Sequence, residues 1–251
     1  MKQISRRAFV GTGAAASLAS ATGIGAMPAS LSGRSAERRS ERSQTTVMFT
    51  GDGQSLSPLE YSQVLGSIID GRGVAPDYYS RGGVVRELEE RMAAILGKER
   101  AVFLATGTLA NHLAVRIQAR GRTRVIVQED SHLYCDSGDC AEVLSNLNLV
   151  TLARGAGSFT LEDVQDVIAR AAGGRVRTGV GVISIESPIR RRYGELFDHD
   201  EMRRICDFAR ERDIATHLDG ARLFMASAYT GIAPAEFAAL FDTVYVSMWK
   251  Y

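Results

Sequence analysis

The chain has 251 residues, 45% hydrophobic and 24% charged, with a formal net charge of +1. That is an ordinary globular composition, long enough to bury one large core. The charge is unevenly divided: residues 1–43 carry seven Lys/Arg against Glu37 and Glu41, a net +5, which leaves −4 for the remainder. A body with no basic surplus has few phosphate counterions to release, which argues against nucleic acid as a partner.

In chain order, the first segment has the layout of an export signal. "SRRAFV" (5–10) precedes the uncharged, Gly/Ala-rich "GTGAAASLASATGIGA", with small residues suited to cleavage near Ala26 or Ala29. The Arg6-Arg7 pair followed by Phe9 resembles the twin-arginine class, so the expectation is export to the periplasm or beyond through that machinery. The segment is too rich in small residues to anchor as a membrane span. Residues 1–31 are assigned to the signal, 32–46 to a Ser/Arg/Glu-rich linker, and 47–251 to the folded body.

From residue 84 the pattern alternates. Val85, Leu88, Met92, Ile95 and Leu96 recur at helical spacing, and Gly97 supplies a stop, which predicts a helix over 84–97. A buried strand is expected at 101–105, a helix at 108–120 and a strand at 124–129. The next helix, within 159–174, has Thr160 as N-cap with Asp163 behind it. A strand at 179–186, a helix at 200–212, a strand at 214–219, a helical stretch at 234–240 and a strand at 243–248 complete the order. Short apolar strands separated by helices predict an α/β fold with a mostly parallel sheet covered on both faces. Cys135, Cys140 and Cys206 have no metal-ligand spacing, and an odd count argues against a disulfide framework.

In such a sheet, ligands gather beyond the carboxyl ends of the strands. That rule selects Thr106-Gly107-Thr108, His132, Glu186, Asp219 and Lys250, a set that fits an aldehyde cofactor bearing a phosphate and a pyridine nitrogen. A half-buried lysine can hold the aldehyde, and an aspartate can keep the ring nitrogen protonated as an electron sink. Amides at a helix N-terminus, where Gly107 permits close approach, can hold the phosphate. Each residue also has a plainer alternative. Asp219-Gly220 makes a turn, Arg222 a surface charge, His132 a loop cap and Ser247 a strand hydroxyl. His112, His199 and His217 look like helix, loop and strand histidines, and "IRRRYG" (189–194) like a solvated charge run.

"ELEERMAAILGKERAVFLATGTLANHLAVR", "HLDGARLF" and the final Ser-x-x-Lys resemble the threonine aldolase, or β-eliminating lyase, family from about residue 47 onward. The resemblance implies pyridoxal 5′-phosphate as cofactor and the large domain of the aspartate-aminotransferase-like fold. It implies retro-aldol cleavage of a β-hydroxy-α-amino acid, with another lyase or racemase, or a cofactor-binding protein without turnover, as alternatives. Carried over residue by residue, Thr106, Gly107, Thr108 and Ser247 serve the phosphate. His132 stacks on the ring and serves as base, and Asp219 meets the ring nitrogen. Arg222 takes the phenolic oxygen or the substrate carboxylate, and Lys250 carries the aldehyde. Glu186 stands at the family's strand-end acid, although "ESPIRRRYGE" departs from the usual Glu-Asn-Thr wording. Family members are homodimers or homotetramers with shared sites, and "DYYSRGG" (77–83) resembles the segment that reaches a neighbour. They also continue past the lysine, so a missing C-terminal small domain is expected here.

Overall fold

The computed structural model describes residues 52–53 and 56–250. The expected signal and linker lie outside the described residues. Five strands form one sheet in the order β2-β1-β3-β4-β5 with every neighbouring pair parallel. They are β1 (Arg124–Gln128), β2 (Asn148–Leu152), β3 (Val180–Glu186), β4 (Ala215–Asp219) and β5 (Thr243–Tyr245). Alternate side chains enter different cores, as the two-residue period of a strand requires. Val125 and Val127 of β1 pack with Val115, Ala119 and Leu147, whereas Ile126 joins Ile183, Ile185, Met202 and Ile205 on the other face. The sheet is therefore buried on both sides, which is the expected α/β sandwich.

The helices are α1 (Pro58–Arg72), α2 (Gly83–Leu96), α3 (Gly107–Gln118), α4 (His132–Cys135) and α5 (Cys140–Ser145), then α6 (Leu161–Ala172), α7 (His199–Arg210), α8 (Leu223–Thr230) and α9 (Pro234–Leu240). The amphipathic spacing is realised directly: α7 buries Met202, Ile205, Cys206 and Ala209, one stripe at intervals of three and four. Thr160 and Asp163 close a capping box at the start of α6. Helix α1 also has a capping box, from Ser57 and Glu60, but it buries none of its residues.

Two expected strands come out differently. Residues 101–105 are not a strand: Val102 is 74% exposed, and the run leads straight into α3 without pairing to any described strand. Five apolar residues fit a buried strand only where a neighbour offers its edge, and periodicity does not carry that information. The strand expected at 243–248 stops at Tyr245, because its one partner among the described residues, β4, ends at Asp219 opposite Tyr245 and offers 246–248 nothing to bond. All three cysteines are free thiols.

Candidate active site

Parallel register sets the site. Glu186 is aligned with Asp219, and Asp219 with Tyr245, so three strands deliver polar groups side by side at their carboxyl ends. Helix α3 starts above them. Thr106 caps it by accepting from the Leu109 amide at 3.1 Å, which leaves the amides of Gly107 and Thr108 without an acceptor among the described residues. Gly107 is required by contact: a Cβ there would lie 2.2 Å from the Tyr245 hydroxyl oxygen. A cleft of about 160 Å³ opens between these elements, lined by Gly107, Thr108, His132, Glu186, Asp219, Arg222 and Lys250 together with Asp52, Asn111, Arg190, Ala221 and Tyr245.

The two acids are buried and close enough to affect each other. Asp219 is 4% exposed; its Oδ1 accepts from the Ala221 amide at 3.1 Å and its Oδ2 from the Asn111 side-chain amide. Burial raises its pKa, while the Ala221 amide, His132 and Lys250 hold it down. Glu186 is pushed up to about 7, chiefly by burial and then by the charge on Asp219. Its position is tightly specified. Gln128 bonds its backbone twice, Nε2 to the Glu186 carbonyl at 2.8 Å and Oε1 from the Glu186 amide at 2.9 Å. The carboxylate in turn accepts from the backbone amides of His132, at 2.5 Å, and Arg190, at 3.1 Å. Glu186 thereby fixes where α4 and its first residue, His132, enter the cleft.

Hydrogen bonding favours one tautomer of His132. The Ser137 hydroxyl donates to the His132 carbonyl at 3.0 Å, so at Nδ1, 3.3 Å away, it accepts. The ring proton then sits on Nδ1 and leaves Nε2 as the basic atom. Arg222, 7% exposed, is already engaged: Nε and Nη2 clasp both carboxylate oxygens of Asp52 at 2.8 and 2.6 Å. The guanidinium holds the Asp52 carboxyl below its usual range. The expected contact of Arg222 with a phenolic oxygen or a substrate carboxylate therefore competes with Asp52.

Of the residues selected from sequence, Gly107, Thr108, His132, Glu186, Asp219, Arg222 and Lys250 meet in this one cleft. Thr106 and Ser247 stand outside its lining. The Thr106 hydroxyl caps α3, and Ser247, buried, accepts from the Trp249 amide and hydrogen-bonds Tyr245. Arg191 and Arg192 are paired with Asp136 and with Glu195 and Asp130, whereas exposed Arg190 reaches the rim. Sequence reasoning missed Asp52, Asn111, Arg190 and Tyr245. For Asn111 a signal was present, since it lies four residues after Gly107 and so on the same face of the helix.

A family profile described as Beta-eliminating lyase matches residues 74–251. The chain belongs to the beta-eliminating lyase family. It is 30% identical over 175 residues to a low-specificity L-threonine aldolase of Candida albicans, covering 68% of this chain and 46% of that protein. It is 28% identical over 176 residues to an alanine racemase of Cochliobolus carbonum, covering 69% and 44%. Among solved structures, a Listeria monocytogenes protein provisionally named an L-allo-threonine aldolase superposes with a TM-score of 0.68 at 30% identity, covering 79% of this chain and 53% of that one. The chain thus spans about half the length of the relatives it matches.

Members of the beta-eliminating lyase family are enzymes that depend on pyridoxal 5′-phosphate, and the residues present here fit that group. An N-terminal helix turn with two uncommitted amides, packed against Tyr245, suits the phosphate. A buried carboxylate suits a cationic ring nitrogen, and a half-buried lysine lines the same cleft.

Proposed function

We propose that this chain carries the cofactor-binding site of an aldehyde-lyase that cleaves a β-hydroxy-α-amino acid of the threonine or allo-threonine type to glycine and an aldehyde. One observation supports it above the others: Lys250, Asp219 and the amides of Gly107 and Thr108, far apart in sequence, line one cleft. When bound, pyridoxal phosphate supplies an electron sink for the bond broken between Cα and Cβ. The chain supplies the rest. Lys250 would hold the aldehyde. Asp219 would keep the ring nitrogen protonated, and Gly107 and Thr108 would anchor the phosphate. His132, with Nε2 unprotonated, removes the proton of the β-hydroxyl. Arg222 takes a carboxylate by exchanging Asp52 for it.

A second reading, racemisation of an α-amino acid, is favoured by the likeness to the Cochliobolus carbonum racemase and needs the same tether and the same acid. The test is direct. Purified protein is loaded with pyridoxal phosphate and offered L-threonine, L-allo-threonine, phenylserine, serine, tryptophan and L-alanine in parallel. Aldehyde release from the first three supports the aldolase reading; D-alanine alone supports the racemase. Lys250→Ala removes the visible band of the bound cofactor, and a band that persists refutes the assignment of Lys250. Export through the twin-arginine machinery and homo-oligomeric assembly belong to the same proposal. Fusing residues 1–46 to a reporter checks the first, and sedimentation of the purified protein checks the second.

A further inference from the structure

The buried face between α3 and β4 holds a hydrogen-bonded series that the proposed chemistry leaves unused. His217 and Asp219 are two residues apart on β4 and so point to the same face, towards α3. The His217 Nε2 lies 3.0 Å from Asn111 Oδ1, and the Asn111 Nδ2 donates to Asp219 Oδ2. On the far side, His217 Nδ1 is 2.8 Å from the Thr243 hydroxyl of β5. His217 is 1% exposed and Asn111 1%.

With Asp219 ionised, the donors and acceptors follow in series. A carboxylate only accepts, so the amide nitrogen of Asn111 faces Asp219 and its oxygen faces His217. That oxygen needs a donor, which places the imidazole proton on Nε2 and leaves Nδ1 to accept from Thr243. Burial holds the imidazole neutral, with its pKa pushed down to about 4. The titratable groups acting on Asp219 itself are His132 and Lys250 from the cleft side, with Glu186 on the neighbouring strand.

We infer that His217 is a positioning residue that acts through Asn111 to hold the Asp219 carboxylate in line with the ring nitrogen of pyridoxal phosphate. The inference rests on the cofactor reading of this cleft but not on the aldol reaction. An Asp carboxylate turns freely about its last bond unless both oxygens are held. Here the Ala221 amide fixes one and the His217–Asn111 pair the other. The neutral imidazole does this without adding a charge that would compete with the ring.

His217→Phe keeps ring volume and removes both hydrogen bonds, whereas His217→Gln keeps a donor at the position of Nε2. Asn111→Ala cuts the same link from the other side. The readouts are the affinity for pyridoxal phosphate and the pH midpoint of the visible band of the bound cofactor, with thermal unfolding of the cofactor-free proteins as the folding control. A ring nitrogen that loses its proton no longer repels the proton on the nitrogen linked to Lys250, so that midpoint moves upward. The expected result is a rise of about one pH unit and a roughly tenfold loss of affinity in His217→Phe and Asn111→Ala, with His217→Gln largely restoring both. Folded His217→Phe or Asn111→Ala protein with unchanged midpoint and affinity overturns the inference, as does a chain that takes up no pyridoxal phosphate. If His217→Phe does not fold, Asn111→Ala decides. Bound cofactor with the expected shifts but no aldehyde release sustains the inference while the aldolase proposal fails.

Discussion

Replacing Glu186 by glutamine isolates a group whose protonation is tied to folding. The carboxyl is 3% exposed, and its pKa is raised from 4.5 to about 7, first by burial and then by the Asp219 charge. At about 1.4 kcal/mol per pH unit between the unfolded and folded values, the group accounts for roughly 3 kcal/mol. The folded protein holds this proton to higher pH than the unfolded chain does. Its contribution is thus fully present below about pH 4.5 and is lost as pH rises through about 7. Glutamine can accept from only one of the two amides that Glu186 serves, those of His132 and Arg190, a pH-independent penalty of about 1–3 kcal/mol. Asp219, also raised by burial, adds a loss of the same sense in both proteins; because the two acids act on each other, the difference between the proteins reports Glu186 together with its interaction with Asp219. Urea unfolding of the cofactor-free proteins between about pH 4.5 and 8 provides the measurement. The parent should lose roughly 3 kcal/mol more than Glu186→Gln across that window. Parallel loss in the two proteins would show that Glu186 ionises no differently in the folded and unfolded chains, and the argument from burial would fall.

Other outcomes follow from the same geometry. Gly107→Ala sets a methyl against the Tyr245 hydroxyl and should weaken binding of pyridoxal phosphate by at least about tenfold while α3 persists, as equilibrium dialysis and circular dichroism would show. Asp52→Asn removes the anion that holds Arg222, so glycine should bind the loaded protein more tightly in a spectral titration; unchanged affinity would mean that Arg222 is not the carboxylate's partner. Ile183→Ala, at a fully buried position in the central strand, should cost about 2–5 kcal/mol in denaturant unfolding.

Much of this arrangement was legible in the linear order of residues. Alternating helix and strand periods specify a parallel sheet covered on both faces, because only that architecture buries apolar strands joined by crossover helices. The rule that ligands gather at strand carboxyl ends then picked out His132, Asp219 and Lys250 before any coordinates. These are properties of chain neighbours: a two-residue or three-to-four-residue period, a cap, a strand end. Pairing partners are not of that kind. Whether residues 101–105 form a strand depends on an edge to bond, and the exposed Val102 shows that the described residues offer none. Asp52 reaches Arg222 across 170 residues, and Asn111 reaches His217 across 106. Gln128 meets Glu186 across 58. Composition and periodicity carry no trace of such contacts. His217 therefore looked like an ordinary strand histidine until the packing of α3 on β4 supplied its partner. The residue types that line the cleft were set by sequence, and the tautomers, ion pairs and orientations that govern how they can act were decided by tertiary packing, since a hydrogen bond depends on distance in space rather than along the chain.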